Sequence, residues 1–407
     1  MIRRRAVFAG AAALAGLGGG LAAPWSGAAR AQQDFRRLGG RKVLTPIEAA
    51  PDLVSDVTVC LRPFRTAGPR SEAERLGDTL MVHNYGHGGA GWSLSWGSAE
   101  IAVGMALQNS VLQSGAREVA VIGCGALGLT AAVTAQRAGA KVTIYARDLL
   151  PATRSARATG LWSPDSRIAL ERRAPAGFGD LWERMARTSW RTHLQYLGLA
   201  GSPIDFFDQY YVAGAGGERA FGSDLRAGAL RFADYTGRIS DITPRPMEVP
   251  DNALLFPAYT RVMRVMRFNI AEYGRALMGE FTGAGGVLVQ REFSHPSEIA
   301  ALPEKAVVNC PGYGARSLWR DETVSPVRGQ ISWLPARPDL SWGFIYKHVL
   351  VVPRRDGTLV QGLAGGDMRG FGDDRETPDA TETADTVGIA AELYQRMLAF
   401  NVATRGD

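Results

Sequence analysis

Residues 83–148 read HNYGHGGAGWSLSWGSAEIAVGMALQNSVLQSGAREVAVIGCGALGLTAAVTAQRAGAKVTIYARD, and this stretch decides the fold. It holds two glycine-rich turns, and each turn is placed to open a helix. The second turn, GCGALG at 123–128, follows the apolar run 119–122 and precedes an alanine-rich segment, after which 142–145 is strand-like. Strand, glycine turn, helix and strand in this order predict a β-α-β unit, in which the free N–H groups of the helix face a dinucleotide pyrophosphate.

The first turn is richer in glycine, with Gly86, Gly88, Gly89 and Gly91 in close succession. Such crowding is unusual inside a packed helix or strand, so it indicates a backbone that lies close to something flat or charged. The apolar segment 93–113 then predicts a mostly buried helix. The positive partial charge at its N-terminus could stabilise an anionic ring oxygen.

Residues 83–97 resemble the C-terminal motif of the D-amino acid oxidase and D-aspartate oxidase family, whose glycine loop contacts the pyrimidine edge of FAD. Further segments also resemble that family over roughly residues 44–400: RPFR at 62–65, 153–164, NCPG at 309–312, and RGQ at 328–330 followed by Tyr346. The resemblance implies an α/β fold, in which a Rossmann-like FAD-binding domain is joined to a substrate domain built on an antiparallel sheet.

The order of these motifs differs from the family order. The arginine loop and the first glycine turn end the chain in the family, whereas here they precede the β-α-β unit. We interpret this as a circular permutation, in which the linker 114–117 connects the family's last helix to its first strand. A linker of about four residues spans at most about 14 Å, so the old termini must lie close together. The new ends, residues 44–53 and the end of the helix 380–400, should then also be neighbours.

The predicted domains follow from the resemblance. Residues 44–163 and 267–333 are expected to form a discontinuous FAD-binding domain, and 164–266 and 334–370 the substrate-binding domain. Residues 380–400 predict a helix that returns to the FAD-binding domain.

Residues 1–31 have the features of a targeting segment. Arg3, Arg4 and Arg5 form a basic start, an apolar run of small residues follows, and Ala29-Arg30-Ala31 is typical of a cleavage site. Paired arginines predict export of the folded protein by the twin-arginine machinery to the periplasm or the exterior. An uncleaved anchor is the alternative. Because all four charged residues of the segment are arginines, its removal lowers the formal charge from +6 to +2.

The rest of the composition excludes several function classes. The mature chain has no basic block or motif for nucleic acid and no further membrane-length apolar run, so no stable membrane association is expected. Three scattered cysteines (Cys60, Cys124 and Cys310) are too few for a disulfide framework. His83 and His87 are four residues apart, but the glycines around them argue against the helix that a metal site would need, so no metal is predicted.

Oxidation of an amino acid by a flavin requires a clamp for the α-carboxylate, and a guanidinium provides two parallel hydrogen bonds. By resemblance Arg62 is this clamp, and the backbone at Gly89 receives the substrate amine. The family places two tyrosines four residues apart near this site. The farther one corresponds to Tyr346, which is predicted to line the pocket. The nearer one corresponds to Leu350, so its hydroxyl is missing here.

The resemblance also implies which residues contact FAD. Asp148, beside Arg147 after the second strand, is a candidate for the adenosine ribose. At Pro311 the family usually has threonine, so a hydroxyl is lost, while Gly312 still permits close approach. The predicted contacts are Gly123, Cys124, Gly125, Ala126, Leu127, Gly128, Arg147, Asp148, Thr153, Arg154, Ser155, Gly160, Leu161, Gly312, Gly88, Gly89, Ala90, Gly91, Trp92 and Ser93.

Taken together, the sequence predicts an FAD-dependent oxidase that converts D-amino acids and O2 to 2-oxo acids, ammonia and hydrogen peroxide. Oxidation of glycine, sarcosine or another amine is an alternative, as is an NAD-dependent dehydrogenase. Leu350 and Pro311 leave open a flavin-binding protein without turnover. The sequence indicates no oligomeric state.

Overall fold

The computed structural model describes residues 35–38, 41–108, 117–213, 231–243, 245–250, 256 and 258–403. All of them belong to the unit Asp34–Asp407. The targeting segment predicted at 1–31 and most of the predicted linker 114–117 lie outside the described residues.

The chain alternates strands and helices in its middle part and is richer in strands at both ends. The strands are β1 (Phe35–Leu38), β2 (Arg41–Leu44), β3 (Asp56–Arg65), β4 (Arg70–Leu76), β5 (Thr79–Tyr85), β6 (Glu118–Ile122), β7 (Lys141–Ala146), β8 (Ile204–Val212), β9 (Met247–Glu248), β10 (Tyr259–Phe268), β11 (Val287–Gln290), β12 (Ala306–Asn309), β13 (Val324–Leu334), β14 (Trp342–Tyr346), β15 (Val349–Arg354) and β16 (Gly357–Gly362). The α-helices are α1 (Gly91–Leu107), α2 (Ala126–Arg137), α3 (Phe178–Leu194), α4 (Ile270–Gly283), α5 (Pro296–Ala300), α6 (Ala315–Leu318) and α7 (Ala380–Ala403).

The smaller sheet has the order β11-β7-β6-β12-β5-β4, and its pairs are parallel except at β4. Its central strands β6, β12 and β5 are buried nearly throughout, as expected for a parallel sheet covered on both sides, whereas the edge strand β4 is polar and partly exposed. Val119 and Val121 pack in the cluster that contains α1 and α2, while Ala120 and Ile122 pack with Ile299 of α5. The predicted β-α-β unit is therefore present as β6, α2 and β7.

The larger sheet has the order β3-β13-β16-β15-β14-β8-β10-β9, and all its pairs are antiparallel except β14 with β8. The longest pairing joins β3 to β13, from Asp56 opposite Trp333 to Arg65 opposite Val324. The predicted domain boundaries placed β3 and most of β13 in the FAD-binding part, and this is wrong. The two strands are hundreds of residues apart in sequence, and no local pattern indicates that they pair with each other.

Helix α7 was predicted to return to the FAD-binding domain, and this placement is also wrong. Its apolar side, which includes Val387 and Leu393, packs on Trp342 and Phe344 of the larger sheet. Leu44, Ile47 and Ala49 belong to the same cluster. Residues 44–53 therefore lie beside the closing helix. Their predicted proximity to its end and the circular permutation stay predictions.

No helix in the described part of the chain is both long enough and apolar enough to cross a membrane.

Candidate active site

A cavity of about 540 Å³ lies where the carboxyl ends of the small-sheet strands meet the larger sheet. In parallel α/β sheets this edge is the usual place for a ligand. Ile122, Ala146 and Cys310 line the cavity from the ends of β6, β7 and β12, whereas Arg62 and Leu350 line it from the larger sheet. The cavity therefore joins the two parts of the fold that the sequence assigned to cofactor and substrate.

The turn after β6 permits only glycine at its key positions. Gly123 has φ +97°, and a Cβ there would lie 2.4 Å from the carbonyl oxygen of Cys310. A Cβ at Gly128 would lie 2.0 Å from the carbonyl oxygen of Gly123. Gly128 does not line the cavity; its role is to let α2 pack against the turn. Ser155 Oγ accepts a hydrogen bond from the Ala126 N–H at 3.0 Å and fixes the start of α2.

At the end of β7, Arg147 and Asp148 both line the cavity. Arg147 donates to the Asp148 carboxylate at 2.7 Å and to Glu292 at 3.3 Å. The hydrogen bond from Arg147 lowers the pKa of the Asp148 carboxyl below its ordinary value. Asp148 is therefore ionised at neutral pH, and it can accept hydrogen bonds from hydroxyl groups of a ligand.

Thr153 follows Asp148 in the chain and has an unsatisfied hydroxyl group. Its side chain is 7% exposed and lines the cavity, and its Oγ1 has no hydrogen-bond partner among the described residues. A buried hydroxyl without a partner is costly, so this position calls for a ligand atom. Gly312 also lines the cavity, at φ +58° beside Pro311.

The first glycine turn packs against residues 166 and 167. A Cβ at Gly88 would lie 2.0 Å from the Arg167 carbonyl oxygen, and one at Gly89 would lie 2.3 Å from Ser166 Oγ. The Gly88 N–H donates to the Pro63 carbonyl at 2.8 Å, and the Gly89 N–H donates to the Ser166 carbonyl at 2.9 Å. Close packing against the Arg167 backbone therefore explains Gly88, and close packing against the Ser166 side chain explains Gly89.

This packing limits which of the predicted FAD contacts from Gly88 to Ser93 have a free backbone N–H group. The Gly88, Gly89 and Ala90 N–H groups all donate to protein carbonyls. The next three, from Gly91 to Ser93, open α1 and have no backbone acceptor in the described part of the chain. Ala90 and Ser93 do not line the cavity. Ala90 is buried in an apolar cluster, and Ser93 Oγ accepts a hydrogen bond from the Ser163 N–H at 2.9 Å.

His83 and His87 take part in separate hydrogen bonds. His83 contacts Glu74 at 2.9 Å and Asn309 at 2.9 Å, whereas His87 contacts Ser98 at 2.8 Å. Burial lowers the pKa of His87 to about 3, so its ring is neutral at physiological pH. The described residues contain no group of three or more His, Cys, Asp or Glu side chains that could hold a metal. All three cysteines are free thiols.

Arg62 lies at the larger-sheet end of the cavity and is half-buried. Its Nη1 donates to the Arg328 carbonyl at 3.3 Å, and among the described residues no carboxylate lies within 4.0 Å of its guanidinium. Burial lowers the pKa of Arg62 below its ordinary value. Gly329 leaves the space for this guanidinium, since a Cβ there would lie 2.3 Å from Nη2. A partly buried cation without a counterion is costly, so an anionic ligand would be stabilised beside it.

Several cavity residues were not predicted. Arg167 pairs with Asp367 at 3.4 Å, and burial followed by the Arg62 charge lowers the pKa of Arg167 to about 10. Arg328 and Arg369 share Glu382 of α7 at 3.0 and 2.8 Å. These side chains come from separate loops and strands, so no sequence motif joins them. Gln209 and Gln361 were also missed, for the same reason.

Tyr346 does not line the cavity, which corrects its predicted role. Its hydroxyl donates to Glu392 of α7 at 2.5 Å and accepts from Arg396 at 2.9 Å. Tyr346 pairs with Val349 on the sheet face that α7 covers, whereas the neighbouring Ile345–Leu350 pair faces the other side. Alternation along the strands therefore places Leu350 in the cavity and Tyr346 outside it.

Tyr346→Phe is therefore expected to lower stability and leave catalysis intact. The change removes a hydroxyl bonded to two charged side chains, which costs about 1.5–3 kcal/mol per bond to a charged group. Urea unfolding should show the loss, and steady-state kinetics should show unchanged kcat and KM. A raised KM at unchanged stability would return Tyr346 to the substrate site.

The predicted cofactor residues line the cavity, apart from Gly128, Ala90 and Ser93. Arg62 and Gly89 also line it. The contacts of these residues with FAD stay a prediction.

Comparisons with known proteins identify a family and several relatives of this chain. A family model described as FAD dependent oxidoreductase, DAO, matches residues 118–405, beginning at the first residue of β6. A D-amino-acid oxidase of Streptomyces coelicolor is 28% identical over 53% of this chain and 58% of that protein. One of Rubrobacter xylanophilus is 32% identical over 52% of this chain and 57% of that protein. The chain thus matches under two thirds of either relative's length.

Among solved structures, glycine oxidase from Geobacillus kaustophilus is 15% identical, with a TM-score of 0.46 over 70% of this chain and 80% of that chain.

Proposed function

The chain belongs to the family of FAD-dependent oxidoreductases, and on that premise we propose that it is an oxidase that deaminates D-amino acids. The products would be a 2-oxo acid, ammonia and hydrogen peroxide, formed with O2 and water as co-substrates. The observation that carries the proposal is Arg62, a half-buried guanidinium without a carboxylate partner in the described residues, which faces the cavity lined by both glycine turns.

The residues present are suited to FAD. The turn at Gly123 brings backbone close to the cavity, and Thr153 Oγ1 is a buried hydroxyl without a partner among the described residues. Asp148 offers a carboxylate, and the N–H groups from Gly91 to Trp92 offer donors at a helix start. Turn, hydroxyl, carboxylate and helix N-terminus are groups suited to a dinucleotide whose ring becomes anionic when it is reduced. When bound, FAD supplies the hydride acceptor and passes the electrons to O2.

The chain's own residues bind and orient the substrate. Arg62 would hold the α-carboxylate by two hydrogen bonds, which fixes the position of Cα and its hydrogen. Gly329 leaves Arg62 room to do so. The apolar side chains of Ile331 and Leu350 line the same cavity and would exclude water from the reacting carbon.

No side-chain base is required if the amine arrives neutral. Loss of hydride from Cα then leaves an imino acid, and water converts the imino acid to the 2-oxo acid and ammonia. His87 lines the cavity, and its ring stays neutral at physiological pH. It therefore contributes no positive charge to this step.

An anaerobic reduction screen tests the proposal. Purified protein loaded with FAD should be yellow and should bleach with D-amino acids, and not with their L-enantiomers. Admission of O2 should restore the colour and release hydrogen peroxide. Bleaching by glycine or sarcosine alone would reassign the substrate class. Stable colour with every amine in the panel would leave a flavin-binding protein without turnover, and failure to bind FAD would reject the site.

A further inference from the structure

Gln209 is a buried amide at the larger-sheet end of the cavity. It lies on β8, is 4% exposed and lines the cavity. Its Oε1 is buried and has no hydrogen-bond partner among the described residues. The acceptor of this amide is thus unused by the described part of the protein.

The surroundings of Gln209 are apolar. Its partner across the strands is Met263 of β10, and Val265 and Leu350 line the same part of the cavity. None of the cavity residues that the structure describes on β8, β10 and β15 is acidic. A cationic ligand group would find no counterion here, whereas a neutral donor would satisfy the carbonyl oxygen.

An unpartnered amide oxygen is not by itself a ligand site. Gln136 on α2 also has a buried Oε1 without a partner, and it lies outside the residues that line the cavity. Gln209 differs because it faces a space that the substrate must enter. The other partnerless side-chain atoms among the described cavity residues belong to His87, Thr153 and Arg154, at the glycine turns and the presumed nucleotide end.

We propose that Gln209 accepts a hydrogen bond from the side chain of the substrate. The preferred D-amino acids then carry a neutral donor, a hydroxyl or an amide, at the end of an otherwise apolar side chain. Such a site discriminates strongly, since an analogue without the donor leaves the buried oxygen unpaired. The proposal rests on the proposed function and names the substrate class of the same site.

Matched substrate pairs test this assignment. D-Threonine and D-valine, D-asparagine and D-leucine, and D-tyrosine and D-phenylalanine are similar in shape, and the first member of each pair carries a donor group, at increasing distance from Cα. In the parent enzyme, kcat/KM should favour the donor member of at least one pair by tenfold or more. In Gln209→Met, which keeps the length of the side chain, that preference should fall to about one. Gln209→Leu provides a second variant if the first folds poorly.

Gln136→Met is the matched control, since it replaces another glutamine with an unpartnered oxygen. It should keep the preference of the parent, although it should melt somewhat lower because it loses the hydrogen bond from Gln136 Nε2 to the Phe281 carbonyl at 3.0 Å. Gln209→Met should melt no lower than the parent, because the acceptor that it removes is unsatisfied among the described residues. A preference that survives in Gln209→Met, or equal rates within every pair in the parent, would overturn the assignment. Those results differ from failure of the proposed function, in which no D-amino acid reduces the flavin of the parent.

Discussion

Arg62→Ala is expected to lower kcat/KM for D-amino acids roughly 30-fold to several thousand-fold, mainly by raising KM. Truncating one member of a buried charge pair costs about 2–5 kcal/mol, and each 1.4 kcal/mol is a factor of ten. Because the described residues place no carboxylate beside Arg62, the free enzyme loses no ion pair, so stability should change little. Steady-state kinetics with a fixed amount of bound FAD measure the effect.

Two further variants refine this test. Arg62→Lys keeps the positive charge but cannot donate two parallel hydrogen bonds, so its kcat/KM should lie between those of the parent and Arg62→Ala. Arg65, on the same strand, is the matched control because it bonds Thr323 at 2.8 Å and lies outside the cavity lining. Arg65→Ala is expected to lower Tm without raising KM. A parent-like KM in Arg62→Ala would show that another group holds the carboxylate.

Gly128→Ala is expected to weaken FAD binding by roughly 5-fold to 150-fold. The added Cβ would lie 2.0 Å from the carbonyl oxygen of Gly123, and because this is a backbone atom the contact can be relieved only by moving the turn or the helix. Overpacking of this kind costs about 1–3 kcal/mol, and here it displaces the turn that faces the cofactor. Titration of the apoprotein with FAD, followed by flavin fluorescence, measures the change.

Gly104→Ala is the matched control for this substitution. Gly104 also lies within a helix, and a Cβ there meets nothing within 4 Å. Alanine should therefore raise stability by about 0.5–1 kcal/mol and leave the FAD affinity unchanged. Equal FAD affinity in Gly128→Ala and the parent would show that the turn does not hold the cofactor.

The sequence predicted those parts of the structure that are determined by residues close to one another along the chain. The unit β6-α2-β7 follows from an apolar run, a glycine turn and a second apolar run within about thirty residues. Arg62 was identified because it sits in a short motif. Arg62 lines the cavity, and its role as the carboxylate clamp stays a prediction.

The parts that sequence missed depend on pairing between distant strands. Nothing in residues 56–65 indicates their partner, so β3 was assigned to the wrong sheet. Tyr346 was misplaced because resemblance fixed its position along the chain, while strand alternation fixed its face. Nothing in the sequence distinguishes Gln209 from other strand residues. Only the structure shows that it lines the cavity together with Met263 and Leu350.

Glu382 has a consequence for how the protein responds to stress. It lies in the first turn of α7 and is the shared counterion of Arg328 and Arg369, which both line the cavity. If the first turn of α7 frays, these two guanidiniums lose their carboxylate partner and compete with Arg62 for any anion that enters. Local unfolding of this turn would thus make the cavity more positively charged.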